Sequence, residues 1–401
     1  MSDHPAIAIT EERFDNARYQ GLSKLFLIAG VIGLVASFAG FFINKAQFAH
    51  SWLFACFYFF ALACGSLFWI LVHHGTDSEW SVVVRRLWET KASLVWLPFV
   101  FLLPLFLPFT GLGQILWHWW TVAPGTDHLL DMKRGYLNLP FFWTRVVLFC
   151  FGLTWVSARM LHWSTKQDAD GAHSHTKKMR VLAFAGLPIF GVSLTFAGID
   201  WLMAMDHHWF STMWGVYIFA GAAGSAMALT VLSTTWLRSQ GYLKPVTIQH
   251  YHVMGKFMLA FTVFWAYIGF SQYMLIWYAN IPEETIYFVR RNTGSWRDLS
   301  FFLVAFRFFV PFPLLLLQFT KKTPKFLCFV AGWILFMQAI DLYIIVLPML
   351  HPTGISVSWM DITSWVGIGG IMVFAFLKKL GRHSIIPVRD PRGQLSANTT
   401  N

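Results

Sequence analysis

The sequence predicts an all-α integral membrane protein with about ten transmembrane helices. Three observations predict it. The 401 residues are 56% hydrophobic and only 12% charged, with a mean hydropathy of +0.54, whereas soluble domains are about one-quarter charged. Apolar runs of about 18 residues or more, each long enough to cross a bilayer, recur along the chain. The basic residues sit between those runs and favour every second loop, which is how orientation is written into membrane sequences.

The runs place spans near 25–43, 51–73, 92–110, 140–161, 181–203, 213–237, 253–277, 299–319, 325–348 and 361–380. Residues 1–24 form a polar tail with no signal peptide, so the first run is read as a retained helix. Pro98, Pro104 and Pro108 predict a kinked third span. The stretch 111–139 contains Trp117-His118-Trp119-Trp120 and is expected to lie in the outer interface as a short amphipathic segment. Residues 381–401 form a second tail. No sequence repeat of fixed period is visible.

Lys and Arg number 21 on the side of the two tails and 6 on the opposite side. This predicts cytoplasmic termini and an even number of spans. It also accounts for the net charge of +11 without nucleic acid as a partner.

The four cysteines lie in apolar runs and form no C-x-x-C pair, so they read as small buried hydrophobes. The 15 histidines fall at span ends, in loops or in tails. No two are placed several turns apart in one span, as a haem pair would require. His73-His74 and His173-x-His175 lack a third ligand and read as solvated loop residues. The chain is therefore expected to hold no haem, cluster or metal of its own.

Ionisable residues inside spans are costly, which makes them functional candidates. The seventh span opens with His250, and His252, Lys256, Tyr267, Ser271 and Tyr278 then share one stripe of about 100°. The stripe is a candidate proton path, with a gap of about 16 Å between Lys256 and Tyr267. The competing reading is a snorkelling lysine and tyrosines bonded across helices. Gln338 and Asp341 share a face of the ninth span. Asp341 is a candidate for holding and releasing a proton, or else pairs with a cation such as Arg145 or Arg307. Asp200 and Asp206 are candidates for a proton exit on the outer side, where Glu283 and Glu284 also fall. Those glutamates serve equally well as helix caps facing water.

Several stretches resemble the ActF subunit family of bacterial alternative complex III, which is similar to the NrfD-like membrane subunits. They are Ala197-Gly198-Ile199-Asp200-Trp201-Leu202-Met203 through Asp206 and His208-Trp209-Phe210-Ser211-Thr212-Met213; Gly255-Lys256 with Phe264-Trp265-Ala266-Tyr267 and Trp277-Tyr278-Ala279-Asn280-Ile281-Pro282-Glu283-Glu284; His74, Trp80, Arg85-Arg86 and Glu89; Tyr136-Leu137-Asn138 with Arg145; and Asp341-Leu342-Tyr343 with Pro348. His207 stands where the family pattern has a proline, so the outer turn is expected to differ.

The resemblance implies ten spans with two four-helix bundles, here about 51–203 and 213–348, in the bacterial inner membrane. It implies a complex that oxidises quinol and reduces cytochrome c or a similar carrier. Haems c and iron–sulfur clusters are then carried by partner subunits: a multihaem cytochrome c, an iron–sulfur/molybdopterin-like protein and a sister NrfD-like subunit. The alternatives are a secondary transporter, although the Pro-rich third span has no paired partner in the second half, and a purely structural anchor.

Overall fold

A computed structural model describes residues 10–399. The first nine residues, with His4, and the last two lie outside the described residues. Among the described residues ten helices are long and apolar enough to cross a membrane: Gln20–Ile43, Lys45–Gly75, Val82–Phe106, Leu139–Asp170, His173–Met205, Trp214–Ser239, Ile248–Ala279, Ser295–Leu316, Pro324–Met349 and Trp359–Leu380. They are called the first to tenth spans, and each coincides with one apolar run of the sequence. At 22 to 33 residues, all but the kinked ones exceed a hydrocarbon core of about 30 Å. Among the described residues no strand forms, and a single bridge joins Arg13 to Ser384. That bridge brings both tails to one end of the molecule, here called the tail end.

The second span lies at the centre and is buried along almost its whole length. It packs against the third, fifth, sixth, ninth and tenth spans. A β-carbon on Gly65 would stand 2.1 Å from Ala222 O, so glycine is what lets the second and sixth spans meet backbone to backbone. The first and tenth spans form the most extensive helix pair. Gly30 and Gly33 meet Gly370 and Gly367 there, and Ser37 donates to Thr363 Oγ1. The first two spans are joined by Asn44 alone, whose side chain accepts from Gln47 N and caps the second helix.

The third span begins at Val82, ten residues before the start expected from hydropathy. The charged run Val82–Ala92 is a helix with every residue buried. It can enter the interior because Glu89, together with Asp390 and Asp168 from other elements, offsets the charges of Arg85 and Arg86. The helix breaks at residues 93–95 and resumes as Trp96–Phe106. Pro98 has no N–H to offer Leu94 O, so Leu94 O instead accepts from Leu97 N, three residues on.

Three further expectations change. The segment 111–139 turns apolar side chains into the bundle: Trp117 is fully buried, packs on Phe106 and Phe142, and donates to Trp201 O. Its short helical turns satisfy their own backbone, which lets the apolar indoles fold inward. The second span is longer than expected and carries His50 near one end and His73-His74 at the other, about 35 Å apart at helical rise. His73 and His74 are buried, not solvated, because the third helix and the C-terminal tail close over them. That tail is itself folded: Ile385 and Ile386 are fully buried, and Asp390 and Arg392 reach the ends of the second and third spans.

Candidate functional site

The sixth to ninth spans each send a side chain into one buried polar cluster. Asp341 and Gln338, one turn apart on the ninth span, both point inward and are buried. Asp341 Oδ2 lies 2.7 Å from Arg307 Nη1 of the eighth span. Asp341 Oδ1 accepts from the Tyr217 hydroxyl of the sixth span at 2.5 Å. Arg307 Nη2 donates to Gln338 Oε1 at 2.6 Å, and Ser225 Oγ donates to the same oxygen at 3.2 Å. The guanidinium stacks 4.1 Å above the Trp265 ring of the seventh span.

Gly221 makes room for the pair, since a β-carbon there would stand 2.6 Å from Gln338 Oε1. Beside Arg307 a cavity of about 20 Å³ is bounded by Ser225, Thr262 and Trp265, which is room for one water molecule. The result is a connected polar cluster in which Tyr217 and Asp341 are the groups that can hold a proton, while Arg307 and Gln338, which do not titrate, join Asp341 to Ser225.

The first half repeats the theme. Asp200, fully buried at the end of the fifth span, receives Arg145 Nε at 2.6 Å and Nη2 at 3.0 Å, and the Tyr136 hydroxyl at 2.7 Å. The Arg145 guanidinium also stacks 3.9 Å above the Tyr136 ring. Each half thus holds a tyrosine–aspartate–arginine triplet, although no repeat is visible in the sequence. Of the two cations named for Asp341, Arg307 is the partner, and Arg145 belongs to Asp200.

At the same end, Asp206 pairs with Arg290 at 2.9 Å. Asp127 Oδ2 lies 3.0 Å from His207 Nε2 and 2.8 Å from His208 Nε2. The Leu130 N–H and then the His207 ring hold the Asp127 carboxyl well below the usual carboxylate range, against a smaller opposing effect of burial. Burial pushes His207 down, against the pull of Asp127. Glu283 and Glu284 open the short helix Pro282–Arg291, which closes on Arg290 and Arg291. Acidic first turn and basic last turn both match the helix dipole.

The seventh-span residues separate into two groups. His250 is buried in the first turn; its Nδ1 accepts from Thr247 N, leaving Nε2–H to donate to Ser396 O of the C-terminal tail. His252 is also buried. Lys256, Tyr267 and Tyr278 face outward and Ser271 is half-buried, while Gln272, off that stripe, points inward. The stripe therefore runs along the outer surface of the chain, and a conduit along it needs a neighbouring subunit as its second wall.

A second polar centre lies at the tail end. Glu89 sits between Arg85 and Arg86, at 2.9 Å from each. Arg85 also pairs with Asp390 of the tail, and Arg86 with Asp168 at 2.6 Å. Burial alone would raise the Asp390 carboxyl, but Arg85 and Arg392 overcome it and hold it below the usual range. His73 Nδ1 contacts Ser81 Oγ at 2.6 Å, and its Nε2 faces Arg85 and Arg392.

Sequence reasoning missed Tyr217 and Ser225. Their signal was spacing: Tyr217, Gly221 and Ser225 recur every four residues and so share a face. It also missed Tyr136 as a partner and Lys91, Arg85 and Arg86 as interior residues, having counted those three cations with the loops. Comparison with known proteins finds no matching family model and no matching curated protein.

Proposed function

We propose that this chain is a membrane subunit, without redox centres of its own, of a quinol-oxidising electron-transfer complex of the alternative complex III type, and that Asp341 is its proton relay. Support for the complex comes from the motif resemblance around Asp200–Met213 and Gly255–Glu284. The observation that carries the relay is the placement of Asp341 among Tyr217, Arg307, Gln338 and Ser225 in the interior.

The geometry suits reversible protonation. When Asp341 takes a proton, Arg307 loses its counter-charge. Gln338 Oε1 and Met337 O, at 2.6 and 3.2 Å, still hold the guanidinium in place. The proton can then leave without the arginine being expelled. Electrons travel through haems c and iron–sulfur clusters of partner subunits in this reading. The tail end faces the cytoplasm of a bacterial inner membrane, supported by the basic excess on that side, which persists after the buried Arg85, Arg86 and Lys91 are set aside.

A second reading, a static anchor, is favoured by one observation: Asp200 and Asp341 each already have a cation and a hydroxyl. Purification from native membranes tests the proposal. The expected result is co-purification with a multihaem cytochrome c and an iron–sulfur protein, with quinol-dependent reduction of a cytochrome-type acceptor. A chain that purifies alone and transports solute in liposomes would replace the proposal with a transporter.

A further inference from the structure

A cavity of about 480 Å³ opens between the second, third, sixth, ninth and tenth spans, within the size range of small-molecule sites. Its lining runs from Lys91, Ser233 and Phe376 to Tyr58, Leu335 and Trp365. Phe376 is four residues from the tail-end terminus of the tenth span, roughly 6 Å at helical rise. Trp365 lies about 16 Å farther along the same helix. The cavity therefore reaches from the boundary of the tail-end leaflet toward the middle of the membrane.

Its walls are apolar except at the Lys91 end. Lys91 is buried and its Nζ donates to Thr230 Oγ1 at 3.2 Å and Ser233 Oγ at 2.9 Å. Those hydroxyls donate their own hydrogen bonds to Ala226 O and Leu229 O, so both only accept from the ammonium. One of its three donors is left for the cavity. Arg85, Arg86, Arg145 and Arg307 are each buried against a carboxylate. Lys321, also buried, is held by the carbonyls of Leu315 and Leu316. Among the described residues no carboxylate pairs with Lys91, and buried charges ordinarily require one. Lys379, in the last turn of the tenth span, donates to Ser93 O at 3.4 Å next to the lining residue Leu94 and adds positive charge near the same rim.

We infer that this cavity is a lipid site: an acidic phospholipid of the tail-end leaflet places an acyl chain in it and a phosphate oxygen on Lys91. The lipid supplies the missing counter-charge, and its chain fills space that no side chain occupies. The inference stands independently of the electron-transfer reading.

Native mass spectrometry of the full chain, exchanged into nanodiscs of phosphatidylglycerol or of phosphatidylcholine, tests it. The expected result is one retained phosphatidylglycerol and no retained phosphatidylcholine. Lys91→Met should lower retention about tenfold or more, the scale of one charge-assisted contact, and Lys91→Arg should restore it. Gly332→Leu should abolish retention with the fold intact, because Gly332 lines the cavity and a β-carbon there meets nothing within 4 Å. Equal retention of the two lipids, indifference to both Lys91→Met and Gly332→Leu, no retained lipid in the native preparation, or a neutral quinone in its place would overturn the assignment.

Discussion

Arg307 and Asp341 meet at 2.7 Å where both side chains are almost fully buried. Breaking such a pair leaves one buried charge uncompensated, at a cost of about 3–5 kcal/mol. Arg307→Leu and Asp341→Leu are each expected to lower the melting temperature in detergent sharply. The double variant should lie closer to the parent than the two effects added together, because it leaves no lone charge. Thermal melts of the four proteins check this.

Asp390 of the tail is held by Arg85 and Arg392. Its folded carboxyl is depressed below the unfolded value, so its contribution is present above about pH 3.9 and is lost as pH falls through the lower folded value. Tail docking should therefore persist at pH 4. Limited proteolysis with an acid-active enzyme should spare residues near 390 at that pH, and Asp390→Asn should expose them even at neutral pH.

Gly65→Val should abolish accumulation of the folded protein, since its side chain has to enter a backbone contact with Ala222. Gly191→Val is the matched control, because nothing lies within 4 Å of its β-carbon position. Detergent-soluble yield and gel-filtration profile separate the two.

The ten spans were legible because lipid leaves few alternatives to apolar helices. Asp341 and Gln338 were legible because charge within an apolar run is conspicuous. What hydropathy could not show was compensation. Arg85, Arg86 and Glu89 look like a loop until the two arginines are seen to pair with Glu89, Asp168 and Asp390 inside the bundle. The same holds for Lys91, whose depth follows from helix packing and not from its neighbours in sequence. Helical phase does not say which face meets the core, and the seventh-span residues divide between buried His250 and His252 and outward Lys256, Tyr267 and Tyr278. Tyr267 and Tyr278 turned outward because Trp265, Ile268, Gln272 and Ile276 fill the inner face. The tyrosine–aspartate–arginine triplets were hidden because each draws its members from elements far apart in sequence, Tyr136 from the turn before the fourth span and the others from different helices.

The outer wall of the seventh span gives a further expectation. If a neighbouring subunit lines the stripe, Tyr278→Cys should be labelled by a membrane-permeant thiol reagent in the isolated chain and protected in the assembled complex. Equal labelling in both states would place lipid against that face.

The most direct test of the relay is proton uptake and release per electron in liposomes containing the assembled complex with Asp341→Asn. The substitution keeps shape and hydrogen-bonding capacity while removing the titratable group. The account predicts that assembly and bound haem are unchanged while proton movement per electron falls severalfold. Unchanged proton movement at an unchanged electron rate would contradict it and leave Asp341 as the static partner of Arg307.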